Sequence, residues 1–342
     1  MKKLYIHIGT HKTGTTSLQK LCYKYIKELG DEDIHIIKHK DVPYKAEFNS
    51  GSVSREELTS TLRSFLREEL SSQHNKHFLC WEGFSGNLLS LYRNRVKTLD
   101  VLKEAIPDNI ELSLIVVFRR QDDFVQSAYS QTIHQGEFET SAEDLLNTEY
   151  NEGIDWLVFV NQLKELFPEA NLNALPYYKN LLIEKPLHKL VGEIVGSEFL
   201  MNHSDQSKAN VGMTTEAAKL FESLNNRGIS NKASEKLLRR ILQQTSNKGT
   251  FNEYTYLNYD KKLELLENYQ ESNKKLAELY WKDKFGINNF PEPVDVTQQN
   301  DNEGNVEEQV IRELLNVIIE QREKLRSSFV MKVANKVNKL TG

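Results

Sequence analysis

The apolar positions of this chain switch between two periods. Five short runs are β-rich and apolar: Leu4–Ile8, Ile34–Lys38, His77–Trp81, Leu112–Phe118 and Leu172–Leu175. Leu4–Ile8 places apolar residues at alternate positions, while Leu112–Phe118 is apolar almost throughout, as a strand covered on both faces of a parallel sheet is. Between these runs the apolar residues recur at helical spacing. Leu18–Ile26 follows the first strand; Ser54-Arg55-Glu56-Glu57 is a capping box that opens a helix to about Leu70. Asn87–Ile106 reads as a further helix, closed by Pro107. Alternating strand and helix predicts an α/β fold with a central, mainly parallel sheet flanked by helices.

Downstream the period stays helical from about Ile183 to Tyr280, broken by polar loops near Asn202–Asn210 and Ser246–Thr250. Residues 291–305, with prolines and many Asn, Gln and Asp residues, read as a linker. A last amphipathic helix spans 306–342, with Val306, Val310, Leu314, Val317, Ile318 and Leu325 on one side. Its first half is acidic and its second half basic, which suits a dimer arm, a helix packed on the domain, or contact with a membrane surface. The expected organisation is one domain over 1–290, the linker, and this C-terminal helical extension.

Composition narrows the classes. A chain of 342 residues with net charge −5 argues against wholesale nucleic-acid binding. The two cysteines, Cys22 and Cys80, each sit in an apolar run and read as buried thiols of a reducing compartment. Met1-Lys2-Lys3 leads into too few apolar residues for a signal segment, and no window is apolar enough to span a bilayer. The expected location is cytoplasmic, peripheral at the inner membrane surface if the terminal helix binds lipid.

The chemistry concentrates after the first strand, at Gly9-Thr10-His11-Lys12-Thr13-Gly14-Thr15-Thr16-Ser17. Strand, glycine loop and helix together cradle phosphate, through backbone N–H groups and the helix N-terminus. The glycine spacing is that of the NTPase phosphate loop, but Thr15 stands where that motif has lysine, and the lysine lies inside the loop as Lys12. The strand Leu112–Phe118 ends in Arg119-Arg120 rather than in a metal-binding acid. Ser127 lies two turns into the next helix, so Arg119 and Ser127 can clamp a second phosphate. Arg120 is expected to pair with Asp122 or Asp123. Gly9, Glu82 and Arg119 all follow strands, so they can share one crevice at the carboxyl ends of the sheet.

These segments resemble the sulfotransferase family. Ile8–Gln19 is similar to its 5′-phosphosulfate loop, and Arg119 with Ser127 is similar to its 3′-phosphate motif; the wording is closest to bacterial members related to the carbohydrate sulfotransferases. Weaker likeness extends over Ala128–Phe138, Tyr150–Tyr177, Asn210–Leu224 and Glu271–Phe290. The resemblance implies a P-loop-like three-layer fold and the donor 3′-phosphoadenosine 5′-phosphosulfate (PAPS), with product 3′-phosphoadenosine 5′-phosphate (PAP) and no metal requirement. It implies His11, Lys12, Thr13, Gly14, Thr15, Thr16, Ser17, Arg119 and Ser127 as donor-binding residues and a glycan or glycolipid as acceptor. Lys12 would act on the leaving group. Glu82, after the strand His77–Trp81, is the expected general base, with His11 and His134 as competitors. The C-terminal Arg-Lys-Gly of the cytosolic branch is missing, with Lys248-Gly249 as a substitute, and Tyr178 stands where related bacterial sequences often carry Glu. Trp81, Phe84 and Tyr129 are expected to pack in the core. Acceptor choice is assigned to the loops Asp41–Ser54, Gly83–Leu91 and Ile133–Tyr150. Two other readings stand beside this one, a magnesium-dependent kinase and a nucleotide-binding module without turnover.

Overall fold

The computed structural model describes residues 1–45, 48, 52–135, 145, 147, 149–204 and 257–293. The chain divides into two compact units, and the first comprises Met1–Tyr129, Thr140–Ala209 and Tyr259–Val294. That unit holds a five-stranded sheet: β1 (Lys2–His7), β2 (Ile34–Ile37), β3 (Lys76–Cys80), β4 (Ile110–Arg119) and β5 (Asn171–Tyr177). The order is β2-β3-β1-β4-β5, and each neighbouring pair is parallel. All five expected strands are present, each within about two residues of the expected bounds.

The order positions the site. After β1 the chain crosses to the β2 edge, returns through β3, and then passes to the other side for β4 and β5. The carboxyl ends of β3, β1 and β4 therefore lie side by side, at the switch point where α/β sheets bind ligands. In β4, Leu114, Ile115, Val116, Val117 and Phe118 are all fully buried, as its apolar run requires.

The two faces pack differently. On one, α1 (Thr15–Lys24) sets Leu18, Leu21 and Cys22 against Phe78, Ile115, Val117 and Leu175, together with Leu187, Leu190 and Val191 of a later helix, Leu187–Val195. On the other, Phe118 stacks on Trp156 at 5.2 Å and meets Phe159 edge-on at 5.7 Å. Both rings belong to the helix Trp156–Leu166, and all three are fully buried. Such aromatic pairs add about 1 kcal/mol beyond the burial of their area. Cys22 and Cys80 are free and buried, as expected. Trp81, Phe84 and Tyr129 are buried packing residues.

After α2 (Ile26–Asp31), the capping box at Ser54 opens α3 (Arg55–Leu70), where the Glu57 backbone N–H donates to Ser54 Oγ at 3.2 Å. One expected helix is much shorter than its pattern. Instead of Asn87–Ile106, the helix α4 is Arg95–Ala105. Residues before it form turns because Asn side chains compete with the helical ladder: Asn87 N–H donates to Asn94 Oδ1 at 2.7 Å, and Leu89 N–H to Asn87 Oδ1 at 2.8 Å. Leu91 and Tyr92 take left-handed φ values of 46° and 64°. The terminal helix expected at 306–342, Lys248-Gly249 and most of the expected linker lie outside the described residues. Among the described residues no helix is long and apolar enough to cross a membrane.

Candidate functional site

The glycine loop runs from the end of β1 to α1 and is fastened to β4 by its backbone. Ile8 N–H donates to Ile115 O at 2.9 Å, Thr10 N–H to Val117 O at 2.9 Å, and Val117 N–H to Gly9 O at 2.7 Å. Thr10 Oγ1 also donates to Val117 O, and Thr13 Oγ1 donates to Thr10 O at 2.6 Å. The parallel pairing thus continues past the strand, and the loop tip is held on a rigid base.

Two glycines make this path possible. Gly9 has φ 110°, and a Cβ there would lie 2.9 Å from Ser85 Oγ and 3.2 Å from Glu82 Cβ. Its bare backbone lets the 3-10 turn Glu82–Ser85 settle on the loop, where Ser85 Oγ donates to Ile8 O. Gly14 caps α1 at φ 90° without a side chain, so no hydroxyl competes for the first-turn N–H groups. Ser17 N–H donates to Gly14 O at 3.0 Å. The Ser17 N–H is therefore taken by the helix, which leaves that residue its hydroxyl for a ligand. The Thr15 hydroxyl is buried without a hydrogen-bond partner. An orphaned donor at the start of the loop helix fits an anionic group, since leaving it unpaired costs about 1–3 kcal/mol. Thr16 is exposed beside it.

Lys12 sits at the exposed tip in a left-handed conformation, φ 64°. Arg119, at the end of β4, reaches it: Nη1 donates to Lys12 O at 3.4 Å, and the guanidinium lies 5.5 Å from the Tyr177 ring centre. Ser127 lies in α5 (Gln121–Gln135), two turns in. No hydrogen bond joins Ser127 to Arg119 among the described residues. Arg120 is buried and bonded to Asp122 at 2.6 and 2.9 Å, with Asp123 at 3.4 Å, as expected of a structural arginine. The His134 side chain lies outside the described residues.

Glu82 follows β3 and Trp81, with its carboxylate accepting from Gln19 Nε2 at 3.2 Å. The same amide donates to Cys80 O at 2.9 Å, so α1 holds the acid at a fixed place. Burial raises the Glu82 pKa; its own backbone N–H, Gln19, Lys45 and Lys12 oppose that rise. A carboxylate with a raised pKa beside a lysine is the profile of a tuned general base. His11 is pushed down to about 3 by burial and the Lys12 charge, so it acts as a neutral group.

Two partners were not foreseen in the sequence. The Tyr92 hydroxyl accepts from the His11 backbone N–H at 2.8 Å and lies 2.9 Å from His11 Nδ1. Gln19 orients Glu82. Gln19 lies inside the recognised loop motif, where a buried amide on a helix face was its only signal. Tyr92 had none, since its segment reads as helix. Among the described residues no group of three or more His, Cys, Asp or Glu side chains could hold a metal ion.

No family model matches this sequence, and no curated protein matches it. Among solved structures, a sulfotransferase from Alicyclobacillus acidocaldarius aligns over 70% of this chain and 96% of its own, at 11% identity and a TM-score of 0.40. At that distance the likeness assigns no activity to this chain.

Proposed function

We propose that this protein is a sulfotransferase that moves a sulfuryl group from PAPS to a hydroxyl or amine of a glycan or glycolipid. One observation carries the reading: at the neighbouring ends of β3, β1 and β4 stand a carboxylate whose pKa burial raises, a lysine-bearing glycine loop, and an arginine hydrogen-bonded to that loop. The loop motif and the Arg119–Ser127 spacing supply the family resemblance.

PAPS supplies the activated sulfuryl group and a stable leaving phosphate. The chain supplies position and charge. The N–H groups of Thr15 and Thr16 and the Thr15 hydroxyl bind the 5′ anion at the positive end of α1. Lys12 neutralises charge that develops on the leaving oxygen. Arg119 and Ser127 take the 3′-phosphate. Glu82 accepts the acceptor proton, and Gln19 holds the carboxylate in the orientation for that transfer. His11, uncharged, contributes hydrogen bonding without adding a second cation beside Lys12. The orphaned Thr15 hydroxyl supports the fit of an anion in this cradle.

The test is a transfer assay with labelled PAPS against a panel of glycans, glycolipids and phenols. Label moves to a glycan with wild type and not with Lys12→Ala; a panel that stays unlabelled while ATP is consumed with magnesium would support the kinase reading instead. A Glu82→Gln enzyme at full rate would remove the base assignment alone.

A further inference from the structure

We propose that the cavity behind the Tyr92 turn is a binding site for an uncharged pyranose sugar. The cavity holds about 340 Å³, near the low end of the roughly 300–1,000 Å³ that small-molecule sites occupy. Its walls come from Leu89–Leu91 and Arg93, and from Leu145, Asn147, Glu149, Tyr150, Asn151 and Ile154.

The lining has the chemistry of a sugar site. A pyranose presents an apolar ring face and an equatorial edge of hydroxyls, each both donor and acceptor. Tyr150 supplies an aromatic surface and remains 49% exposed. Its ring is fixed by stacking on Tyr269 at 5.4 Å and by its hydroxyl, which donates to Asp155 Oδ2 at 3.0 Å. A pre-set aromatic platform loses little entropy on binding. Around it stand Arg93 as donor, Glu149 as acceptor, and the amides of Asn147 and Asn151, whose oxygens accept from the Glu149 and Gly153 backbone N–H groups and whose NH2 groups are donors. Opposite charges on one rim disfavour a phosphorylated or sulfated ligand, and the polar edge disfavours an alkyl chain.

The cavity is also tied to the phosphate loop. Tyr92, between Leu91 and Arg93 of its wall, carries the hydroxyl that meets His11. The Leu91 carbonyl packs so closely on Gly153, which precedes the lining residue Ile154, that a Cβ there would lie 1.9 Å from it. That a sugar binds here stands on the cavity alone; that this sugar is the sulfuryl acceptor rests on the sulfotransferase reading.

Saturation-transfer NMR on the full chain without donor tests the site, using methyl β-glucoside, methyl N-acetylglucosaminide and glucose 6-phosphate as probes. Wild type gives transfer to the two neutral glycosides, and Glu149→Ala and Tyr150→Ala each weaken binding at least about fivefold, the loss of one hydrogen bond or stacking contact. Glu149 is exposed, so its variant keeps the test alive if Tyr150→Ala unfolds. Transfer to none of the probes, a stronger response to glucose 6-phosphate, or neutral-sugar binding unchanged in Glu149→Ala would overturn the proposal. PAP binding, measured separately, reports on the sulfotransferase reading and can fail while the sugar signal stands.

Discussion

Among the turns that adopt left-handed backbone, the phosphate loop and the turn before α4 differ in who bears it. In the phosphate loop the positive φ values fall on Gly9 and Gly14, with Lys12 between them. In the turn before α4 they fall on Leu91 and Tyr92, large side chains that resist this conformation. Glycine takes such angles freely, so at Gly9 and Gly14 the first turn meets them with little strain. The second persists because its surroundings over-determine it: Asn87 and Asn94 tie its backbone, Gly153 admits the Leu91 carbonyl, and the Tyr92 hydroxyl meets His11. The two turns meet at that hydroxyl.

The contrast can be broken at each side. The largest effect is expected from Lys12→Ala, which lowers turnover about 1,000-fold by removing a charge aimed at the transition state. Because Lys12 is exposed, its melting temperature stays near that of wild type, and a parallel loss of both would contradict the assignment. Gly153→Ala is next. Its Cβ meets backbone rather than a flexible side chain, so it costs at least about 3 kcal/mol in urea unfolding.

Tyr92→Phe keeps the ring and removes only the hydroxyl. It leaves the His11 N–H without its acceptor, at about 1–3 kcal/mol, and weakens PAP binding severalfold without touching the loop sequence. Calorimetry of the variant measures both. If the turn were independent of the loop, stability would fall and affinity would not.

The smallest effects are in pH dependence. The turnover carried by Glu82 as base falls as pH drops through its raised pKa, and Glu82→Gln removes that limb from the rate profile. Stability follows other groups. Burial pushes His7 and His77 from 6.5 down to about 4. The unfolded chain takes up these protons near pH 6.5 and the folded chain only near 4. Their contribution is therefore complete above pH 6.5, is lost as pH falls toward 4, and changes no further below it. Melting temperatures between pH 7 and 4 follow this course, and His7→Gln makes the fall shallower.

The contrast between the turns also explains what the sequence made legible. The sheet was readable because β4 is apolar along its whole length and the other strands are short and bounded by polar residues. The loop was readable because its glycines stand where the backbone needs them. Arg120 and its acids were readable from local spacing. The turn at Leu91–Tyr92 was not, because helical periodicity continues through residues 87–94, while the Asn87 and Asn94 hydrogen bonds and the distant partners His11 and Gly153 divert it. The same holds for Gln19, whose role comes from β3, and for the cavity, whose walls are far apart in sequence.

The most direct test of the central claim is calorimetric titration of PAP into the protein with EDTA present. The account predicts binding without metal, weakened at least about tenfold in Arg119→Ala, where a charged hydrogen bond to phosphate is lost. No binding of PAP, or binding only of ATP with magnesium, would contradict it.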